Sequence, residues 1–477
     1  MRMVPNDVRT PSLRAGIEAL VGHLAASLGR IEDQLDSDRV SRPVEPGSLS
    51  AYLARNYDLE HGHAIGSLAC DVFDMLYSGI VHPNHRCHFG LFVPGVQAAG
   101  VVADTLTALL NPQLGAWWYS PAACEIETFV LNAFLEKLGF DAGEAFAHFT
   151  SGGSEANATA VVLALTRHFP NYGTTGLAVS EKCPVLYASE QAHDSFVKIA
   201  HMTGIGRRAV RRVRTDSAFR MDVDDLRQQY EQDKKNGASP FLVVGTAGTT
   251  AGGAFDPLPL LLDFTQETGL WMHVDAAWGG LALLLDEFRP LLSSIDKADS
   301  VTWDAHKIFP VPMGAGMFFA RSQADAVRAF GVEAGYLPDP QQGTVDLYGH
   351  SIQWSRRFIG LKVFLTLAEL GWKGIASLLR QQTSVAQRLR EELLHAGFSI
   401  VNQSPLPLVC FTHPRIESGA HSADSIGAEL ASQGRVWLSA VSLSPNRPKA
   451  LRACITNHRT NEEDVKLLAS EVTRLLR

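Results

Sequence analysis

The sequence predicts an α/β protein in which a mostly parallel sheet lies between two layers of helices and is followed by a smaller α+β lobe. Between residues 147 and 320, short and nearly continuous apolar runs alternate with helical segments, which is typical of parallel strands buried on both faces. Beyond about residue 390, further strand candidates precede a final helix that begins near Asn461. Parallel sheets of this kind bind ligands at the carboxyl ends of their strands. The strand candidates are residues 147–150, 185–189, 241–245, 270–274, 300–303 and 316–320 in the sheet, and 408–412 and 450–455 in the smaller lobe.

The composition excludes several classes of protein. With 46% hydrophobic and 19% charged residues, the 477-residue chain is typical of a globular protein rather than a disordered or fibrous one. The 42 basic and 50 acidic residues give a net charge of −8, so the chain has no overall positive charge with which to bind a nucleic acid. The one basic cluster, residues 207–214, is interleaved with apolar residues and is predicted to form a solvated loop and an edge strand.

Neither the cysteines nor the uncharged stretches indicate a metal site or a membrane span. The six cysteines contain no Cys-x-x-Cys pair, which is typical of buried thiols in a reducing compartment. The uncharged stretches 87–103, 105–124 and 236–255 are interrupted by Gly, Pro, Asn or Gln, and residues 1–7 lack the apolar segment of a signal peptide. We therefore expect a cytoplasmic protein without a bound metal.

The N-terminal segment predicts an amphipathic helix over residues 11–36. Its apolar side chains recur at helical spacing, and Thr10-Pro11 is a suitable start. No apolar partner lies nearby in the sequence, so we expect the stripe to be buried on the main body or, more economically, on a second copy of the chain. The stripe consists of Leu13, Ile17, Leu20, Val21, Leu24, Leu28, Ile31 and Leu35.

A glycine-rich turn joins the first strand candidate to a helix. Within Ser151-Gly152-Gly153-Ser154, the glycines let the backbone approach an anion closely, and the start of the helix presents free N–H groups. The motif is therefore compatible with a phosphate-binding turn. Alone, however, a strand-Gly-Gly-helix sequence more often forms a plain turn.

Two other strand candidates end in ionisable residues. Asp275 follows the run 270–274, where a carboxylate needs a cation or a strong donor unless it only caps a helix. Lys307 follows the run 300–303 beside His306 and is a candidate imine-forming nucleophile, or else an exposed lysine. A phosphate-binding turn, a strand-end aspartate and a strand-end lysine are together the groups that hold pyridoxal phosphate, so their combination predicts a site for this cofactor.

Six short motifs follow one another along the chain: Ser151–Ala156, Ala192–Ser195, Gly245–Thr250, His273–Ala277, Asp304–Lys307 and Ser355–Phe358. In this order they resemble the motifs of the pyridoxal-phosphate-dependent group II amino acid decarboxylases, from about residue 50 to the C-terminus. The resemblance implies the aspartate-aminotransferase-like fold, fold type I, with a mostly parallel seven-stranded sheet in the large lobe. It also implies an N-terminal helical dimerisation segment (1–88), a large cofactor-binding domain (89–360) and a small C-terminal domain (361–477).

The resemblance assigns roles to residues that match these motifs. Lys307 would form the Schiff base with the cofactor, Asp275 would pair with the pyridinium nitrogen, and His193 would stack on the ring. Asp304 stands where many relatives have asparagine. The implied cofactor-binding residues are Gly153, Ser154, His193, Thr246, Asp275, Ala277, Asp304, His306 and Lys307.

The reaction implied by the resemblance is the decarboxylation of an L-amino acid to an amine and CO2, in a homodimer with its active site at the subunit interface. Tyr336 lies in a loop with the Gly and Pro content of a lid and matches the family's proton donor, and Tyr348 is a competing candidate. A tyrosine at this position favours amine formation, because relatives without it tend to produce aldehydes. The alternatives are an aminotransferase, an aldehyde-forming oxidative deaminase, and a catalytically inactive protein that binds pyridoxal phosphate.

The substrate pocket is the least defined part of the site, because residues 82–90 match the family only loosely. Arg356 aligns with a family arginine and is suited to bind a carboxylate bidentately, which does not separate an aromatic from an acidic amino acid. The aromatic candidates fit an apolar core as well as a pocket wall. The predicted substrate-binding residues are His88, Phe89, Gln113, Trp117 and Arg356, with Phe92 and Trp118 as further candidates for the wall.

Overall fold

The computed structural model describes residues 13–35, 37, 39–179, 183–332, 335 and 343–477. Within these ranges it contains one sheet of seven strands and a separate sheet of four strands near the C-terminus. The predicted α/β architecture with a small C-terminal lobe is thereby confirmed. No helix of the described ranges is both long and apolar enough to cross a membrane.

The described residues of the first quarter of the chain are mainly helical. The helix predicted over residues 11–36 is present as Leu13–Leu35, and Arg30 on it bonds to Asp74 at 2.6 Å on a neighbouring helix. In the part of the chain that the structure describes, the second and third helices bury none of their residues. The helices are α1 (Leu13–Leu35), α2 (Ser48–Asn56), α3 (Ile65–Gly79), α4 (Ala98–Leu110) and α5 (Pro121–Leu138).

The large sheet has the strand order β1-β7-β6-β5-β4-β2-β3. Neighbours from β3 to β6 pair in parallel, whereas β7 is antiparallel to both β1 and β6. Almost all residues of its central strands are buried, as expected for strands covered on both faces. The strands are β1 (Phe146–Thr150), β2 (Pro184–Ser189), β3 (Val210–Val213), β4 (Ser239–Thr246), β5 (Trp271–Asp275), β6 (Ser300–Asp304) and β7 (Gly316–Ala320).

The basic cluster forms the edge strand β3 and its flanks, as predicted. Arg211 pairs with Asp233 at 2.8 Å, and Arg214 pairs with Asp225 at 2.9 Å. These positive charges are therefore balanced by carboxylates of the same lobe.

Helices cover both faces of the large sheet. One apolar cluster lies between the sheet and α6 and α8, and another packs α5, α9 and α10 against the opposite face. The helices of this region are α6 (Gly153–His168), α7 (Tyr172–Thr175), α8 (Ser195–Met202), α9 (Val223–Lys235), α10 (Leu258–Thr268) and α11 (Gln323–Phe330). Short 3-10 turns occur at Trp117–Tyr119, Gly176–Val179, Arg207–Ala209, Gly279–Leu284, Arg289–Leu292, Ile295–Lys297, Ala305–Lys307 and Leu347–His350.

A long, bent helix leads to the C-terminal lobe. The helix α12 (Gly360–His395) bends at Gly371, whose φ of +61° is in the left-handed region that favours glycine. The small sheet has the order β10-β11-β9-β8 and is antiparallel throughout. Its strands are β8 (Ser399–Ile400), β9 (Leu408–Thr412), β10 (Ser439–Val441) and β11 (Ala450–Cys454), and its helices are α13 (Pro414–Glu417), α14 (Ala423–Gln433) and α15 (Glu462–Leu475).

Candidate active site

A cavity of about 310 Å³ opens at the carboxyl ends of the parallel strands β4, β5 and β6. Each of these strands delivers its last residue to the cavity wall, and the turn after β1 completes it. The structure thus brings together all the residues that the sequence analysis assigned to the cofactor. The lining residues are Phe92, Ser151, Gly152, Gly153, Ser154, Asn157, His193, Thr246, Gly248, Thr250, Asp275, Ala277, Trp278, Asp304, His306 and Lys307.

Lys307 lies at the end of β6 and pairs with a carboxylate of the same strand. Its Nζ is 2.8 Å from Oδ2 of Asp304, and its side chain is 26% exposed. Burial alone lowers the pKa of Lys307, but the charge and hydrogen bond of Asp304, together with the charge of Asp275, outweigh burial and raise it. Without a ligand, the amine is therefore held in its cationic form.

Asp275 ends the neighbouring strand β5 and is oriented from two sides. Its Oδ2 accepts a hydrogen bond from Asn157 Nδ2 at 2.9 Å, and its Oδ1 accepts one from the backbone N–H of Ala277 at 3.1 Å. Asn157 in turn accepts hydrogen bonds from Thr302 Oγ1 at 2.8 Å and His273 Nε2 at 3.1 Å. Burial lowers the pKa of His273 to about 4, so its ring is neutral and serves as a fixed donor.

The glycine turn supplies the positive end of a helix to the cavity. Helix α6 begins at Gly153, and its 16 residues direct the dipole's positive end at the space beside Ser154. A Cβ on Gly153 would lie 3.0 Å from Asp304 Oδ2, so a larger residue there would require the Asp304 side chain to shift by a few tenths of an ångström. His306 faces the same space, and its Nδ1 accepts a hydrogen bond from Ala315 N at 3.2 Å.

The loop after β4 is held by a buried carboxylate that the sequence analysis did not identify. Asp256 accepts hydrogen bonds from the backbone N–H groups of Thr246 at 2.8 Å and Met221 at 2.6 Å. Burial raises the pKa of Asp256 to about 7, although these two donors favour the charged form. Asp256 thereby fixes the position of Thr246 in the cavity wall.

An aromatic pair and a buried arginine close the back of the cavity. Phe92 stacks on Trp278 with ring centroids 4.4 Å apart, and both line the cavity. Arg452 lies behind Phe92, with its guanidinium carbon 5.5 Å from the ring centroid, and donates to the carbonyl of Thr250 at 2.6 Å. It is 4% exposed and has no carboxylate partner among the described residues. Arg452 was not among the predicted site residues, since its signal in the sequence is only a charged residue inside an apolar strand.

Arg356 is not part of the cavity wall. Its side chain is 1% exposed and pairs with Glu127 Oε1 at 3.1 Å, while it also donates to the carbonyl of Phe149 at 3.1 Å. Burial raises the pKa of Glu127, although the charge of Arg356 acts in the opposite direction. This ion pair joins α5 to the segment before α12 and leaves Arg356 outside the cavity lining of the single chain, so its role in substrate binding stays a prediction.

The other predicted substrate-binding residues also lie outside the lining. His88 and Phe89 are buried, and the ring of His88 packs on Trp437 at 4.7 Å. Trp117 donates its ring N–H to Glu125 at 2.6 Å, and the side chain of Gln113 accepts from the backbone of Gly115. Within one chain, only Phe92 of the candidates for the wall borders the cavity.

Of the two tyrosines predicted as candidates for the proton donor, the structure describes only Tyr348. Tyr336 lies outside the described residues. Tyr348 stacks on Trp354 with ring centroids 4.9 Å apart and is not among the cavity-lining residues.

The residues of the cavity fit pyridoxal phosphate. Thr246 Oγ1, Trp278 Nε1 and Asp304 Oδ1 are buried in lining residues and have no hydrogen-bond partner within the described ranges. Buried polar atoms are normally paired, so this arrangement is suited to a polar ligand. The start of α6 and His306 suit a phosphate, Asp275 suits a ring nitrogen, and Lys307 suits an aldehyde.

The chain is similar to one protein family, to two curated relatives and to one solved structure described here. Residues 46–413 match the family described as pyridoxal-dependent decarboxylase conserved domain. The acidic amino acid decarboxylase GADL1 of Bos taurus is 30% identical over 414 residues, which are 83% of this chain and 78% of that protein. The aromatic-L-amino-acid decarboxylase of Bacillus atrophaeus is 30% identical over 418 residues, which are 83% and 84% of the two chains. The crystal structure of mouse CSAD has a TM-score of 0.89 and 26% identity, and the match covers 98% of this chain and 99% of that chain.

Proposed function

Since the chain belongs to the pyridoxal-dependent decarboxylase family, we propose that the cavity at the ends of β4, β5 and β6 is the site where its amino acid substrate loses CO2. The protein is a carboxy-lyase that depends on pyridoxal phosphate. The observation that carries the proposal is that Lys307 and Asp275 line one cavity from the ends of adjacent strands, beside the start of α6.

Each of these groups has a distinct task in the proposal. Bound pyridoxal phosphate supplies a conjugated ring that accepts the electrons left when the carboxylate departs as CO2. Lys307 supplies the amine that binds the aldehyde carbon, and Asp275 holds a proton at the ring nitrogen. His193, which lines the cavity, would cover one face of the ring, and the N–H groups of Gly153 and Ser154 would bind the phosphate.

The orientation of Asp275 is central to this scheme. The Asn157 amide and the Ala277 N–H bind its two oxygens, so the carboxylate cannot rotate away from the cavity. Neutral His273 holds Asn157 from behind. Donors that are already fixed in place stabilise the negative charge of Asp275 and do not have to reorient during the reaction.

The proton that replaces the lost carboxylate is proposed to come from Tyr336. We expect Tyr336→Phe to lower amine formation by about 10²-fold, because a phenyl ring has no proton to donate. Part of the product then becomes aldehyde, with consumption of dioxygen and release of ammonia and hydrogen peroxide. Amine and aldehyde are measured by chromatography, and peroxide by a coupled assay.

The matched control is Tyr348→Phe, which is expected to leave the ratio of amine to aldehyde unchanged. If this variant rather than Tyr336→Phe shifts the ratio, Tyr348 is the donor. Unchanged amine formation in both variants would contradict a tyrosine donor.

A homodimer is proposed from the exposed apolar surface of α1–α4. On α4, residues Val102, Leu106, Leu109 and Leu110 are 51%, 39%, 46% and 76% exposed, and Val21 and Leu28 on α1 are 56% and 57% exposed. Exposed large apolar side chains in this number are typical of an interface between subunits. Its occupant is proposed to be a second copy, with the active site at the interface.

We expect the wild-type protein to elute in gel filtration at twice its chain mass of 51.8 kDa. The double substitution Val102→Asp and Leu109→Asp places two charges in the interface and is expected to give a monomer with less than about one-tenth of the activity. Leu260→Asp, at a 52% exposed position on α10, is the control and should remain dimeric. An active wild-type monomer would contradict the dimer.

The substrate is best identified by a CO2-release screen. The protein is supplied with pyridoxal phosphate and tested against the common amino acids together with cysteine sulfinate. We expect one amino acid to yield equal amounts of CO2 and amine. Formation of a keto acid without CO2 would contradict the proposed function.

A cytoplasmic location is also proposed. It is supported by the six cysteines, all of which are free thiols, as is typical of a reducing compartment.

A further inference from the structure

The cavity contains a second carboxylate in addition to Asp275. Asp304 is 1% exposed, and its Oδ2 lies 2.8 Å from Lys307 Nζ and 3.8 Å from His306 Nε2. Its Oδ1 has no hydrogen-bond donor within the described ranges. The one strong contact of this carboxylate is therefore with the amine that binds the cofactor.

The same carboxylate borders the turn at the start of α6. A Cβ built on Gly153 would lie 3.0 Å from Asp304 Oδ2 and 3.4 Å from both Asp304 Oδ1 and Ala277 Cβ, and these are the three nearest atoms. Asp304 is thus closer to the turn than Lys307 is. An anion bound by the N–H groups of Gly153 and Ser154 would therefore lie near the Asp304 carboxylate and be repelled by it.

This arrangement presents two obstacles to cofactor binding. An ammonium group cannot attack an aldehyde, and Asp304 holds Lys307 in the ammonium form. A phosphate group would also enter a cavity lined by the carboxylates of both Asp275 and Asp304, and burial lowers the pKa of His306, which disfavours a positive charge on its ring. Movement of one proton removes both obstacles.

We propose that Asp304 is the proton acceptor that activates Lys307 when the phosphate group of the cofactor enters the turn at Gly153. The proton moves from Nζ to Oδ2, so the ammonium becomes an amine with a free electron pair and the carboxylate becomes a carboxylic acid. The net charge of the pair stays zero, and the repulsion of the phosphate is removed. This inference rests on the proposed function, because it takes Lys307 as the residue that binds the cofactor.

The test measures attachment of pyridoxal to Lys307 in the cofactor-free protein by absorbance, as a function of pH. Pyridoxal lacks the phosphate group, so inorganic phosphate is added separately, and the signal of Lys307→Ala is subtracted. In the wild-type protein, phosphate is expected to lower the midpoint of the pH profile by at least about one unit. At a fixed pH below the midpoint, attachment of pyridoxal would then be about tenfold faster.

Asp304→Asn removes the acceptor while keeping the shape of the side chain. Without phosphate, its midpoint is expected at least about one pH unit below that of the wild-type protein, because the ammonium has lost its partner. Added phosphate no longer lowers that midpoint. Asp299→Asn changes a carboxylate just before β6 that accepts a hydrogen bond from Met272 N and lies outside the cavity lining, so it should behave like the wild-type protein.

Wild-type profiles that superimpose with and without phosphate would overturn the inference, even if Asp304→Asn failed to fold. A phosphate-dependent shift that persists in Asp304→Asn would also overturn it. If the wild-type protein does not attach pyridoxal phosphate at any pH, the proposed function fails and the inference fails with it.

Discussion

Lys307→Ala is expected to lack the visible absorbance that the wild-type protein shows with pyridoxal phosphate, and to release CO2 at least about 10⁴-fold more slowly. The methyl group of alanine cannot bind the aldehyde. The remaining groups, Asp275, His193 and the start of α6, still surround the cavity and retain weak, noncovalent binding. Absorbance spectra and CO2 release of the purified protein test both parts of this expectation.

Loss of the amine must be separated from loss of the positive charge beside Asp304. Lys307→Arg keeps a cation next to the carboxylate, but the guanidinium stays protonated and cannot act as a nucleophile. We expect the same loss of absorbance and activity in this variant. Lys297→Ala, at an exposed position between β5 and β6, is the control and should be unaffected. Normal absorbance in Lys307→Ala would assign the attachment to another lysine.

The predictable part of the site is the part set by local sequence. Asp275 and Lys307 each stand at the end of an apolar run, and Gly153 stands at the change from strand to helix. Since parallel strands deliver their carboxyl ends to one edge, the three positions are expected at the same edge of the sheet. The strand order, which places β5 next to β6, then brings Asp275 and Lys307 together. The pairing direction could not be derived in this way, because the run that forms β7 reads like its neighbours and yet is antiparallel to both.

Residues that act through distant partners escaped the sequence analysis. Asn157 bonds to Asp275 across 118 positions of the sequence, and Asp256 reaches Met221 across 35. For Asn157, the sequence contained only a weak signal of a role in the site. An amide among the small apolar residues of α6 must find a partner when it is buried, but the sequence does not say which.

Arg356 shows that a motif match does not identify the partner of a side chain. The match suggested a carboxylate ligand, and within the chain that ligand is Glu127, which lies more than 200 positions earlier. Substrate binding by this arginine stays a prediction. Arg452, in contrast, contacts the cavity wall through Thr250 and Phe92. It donates to backbone carbonyl groups and has no carboxylate partner among the described residues.

The second large effect is expected for Asp275→Asn, with a decrease in kcat of about 10²- to 10⁴-fold. Removing one charge of a buried pair costs about 3–5 kcal/mol, and each 1.36 kcal/mol at the transition state is tenfold in rate. Asparagine keeps the shape of the side chain but cannot hold a proton on the ring nitrogen as a carboxylate does. Lys307 is unchanged, so covalent attachment of the cofactor should persist while turnover falls.

Asn157→Ala distinguishes the charge of Asp275 from its orientation. This variant keeps the carboxylate and removes the Nδ2 donor 2.9 Å from Oδ2, so we expect a smaller loss of about 10-fold in kcat. Asp263→Asn, at an exposed position on α10, is the control for loss of a negative charge. The predicted order of activity is therefore wild type and Asp263→Asn, then Asn157→Ala, then Asp275→Asn. If Asp275→Asn retained full turnover, the ring nitrogen would need no negative partner, and the hydrogen-bond network around Asn157 would serve only to stabilise the fold.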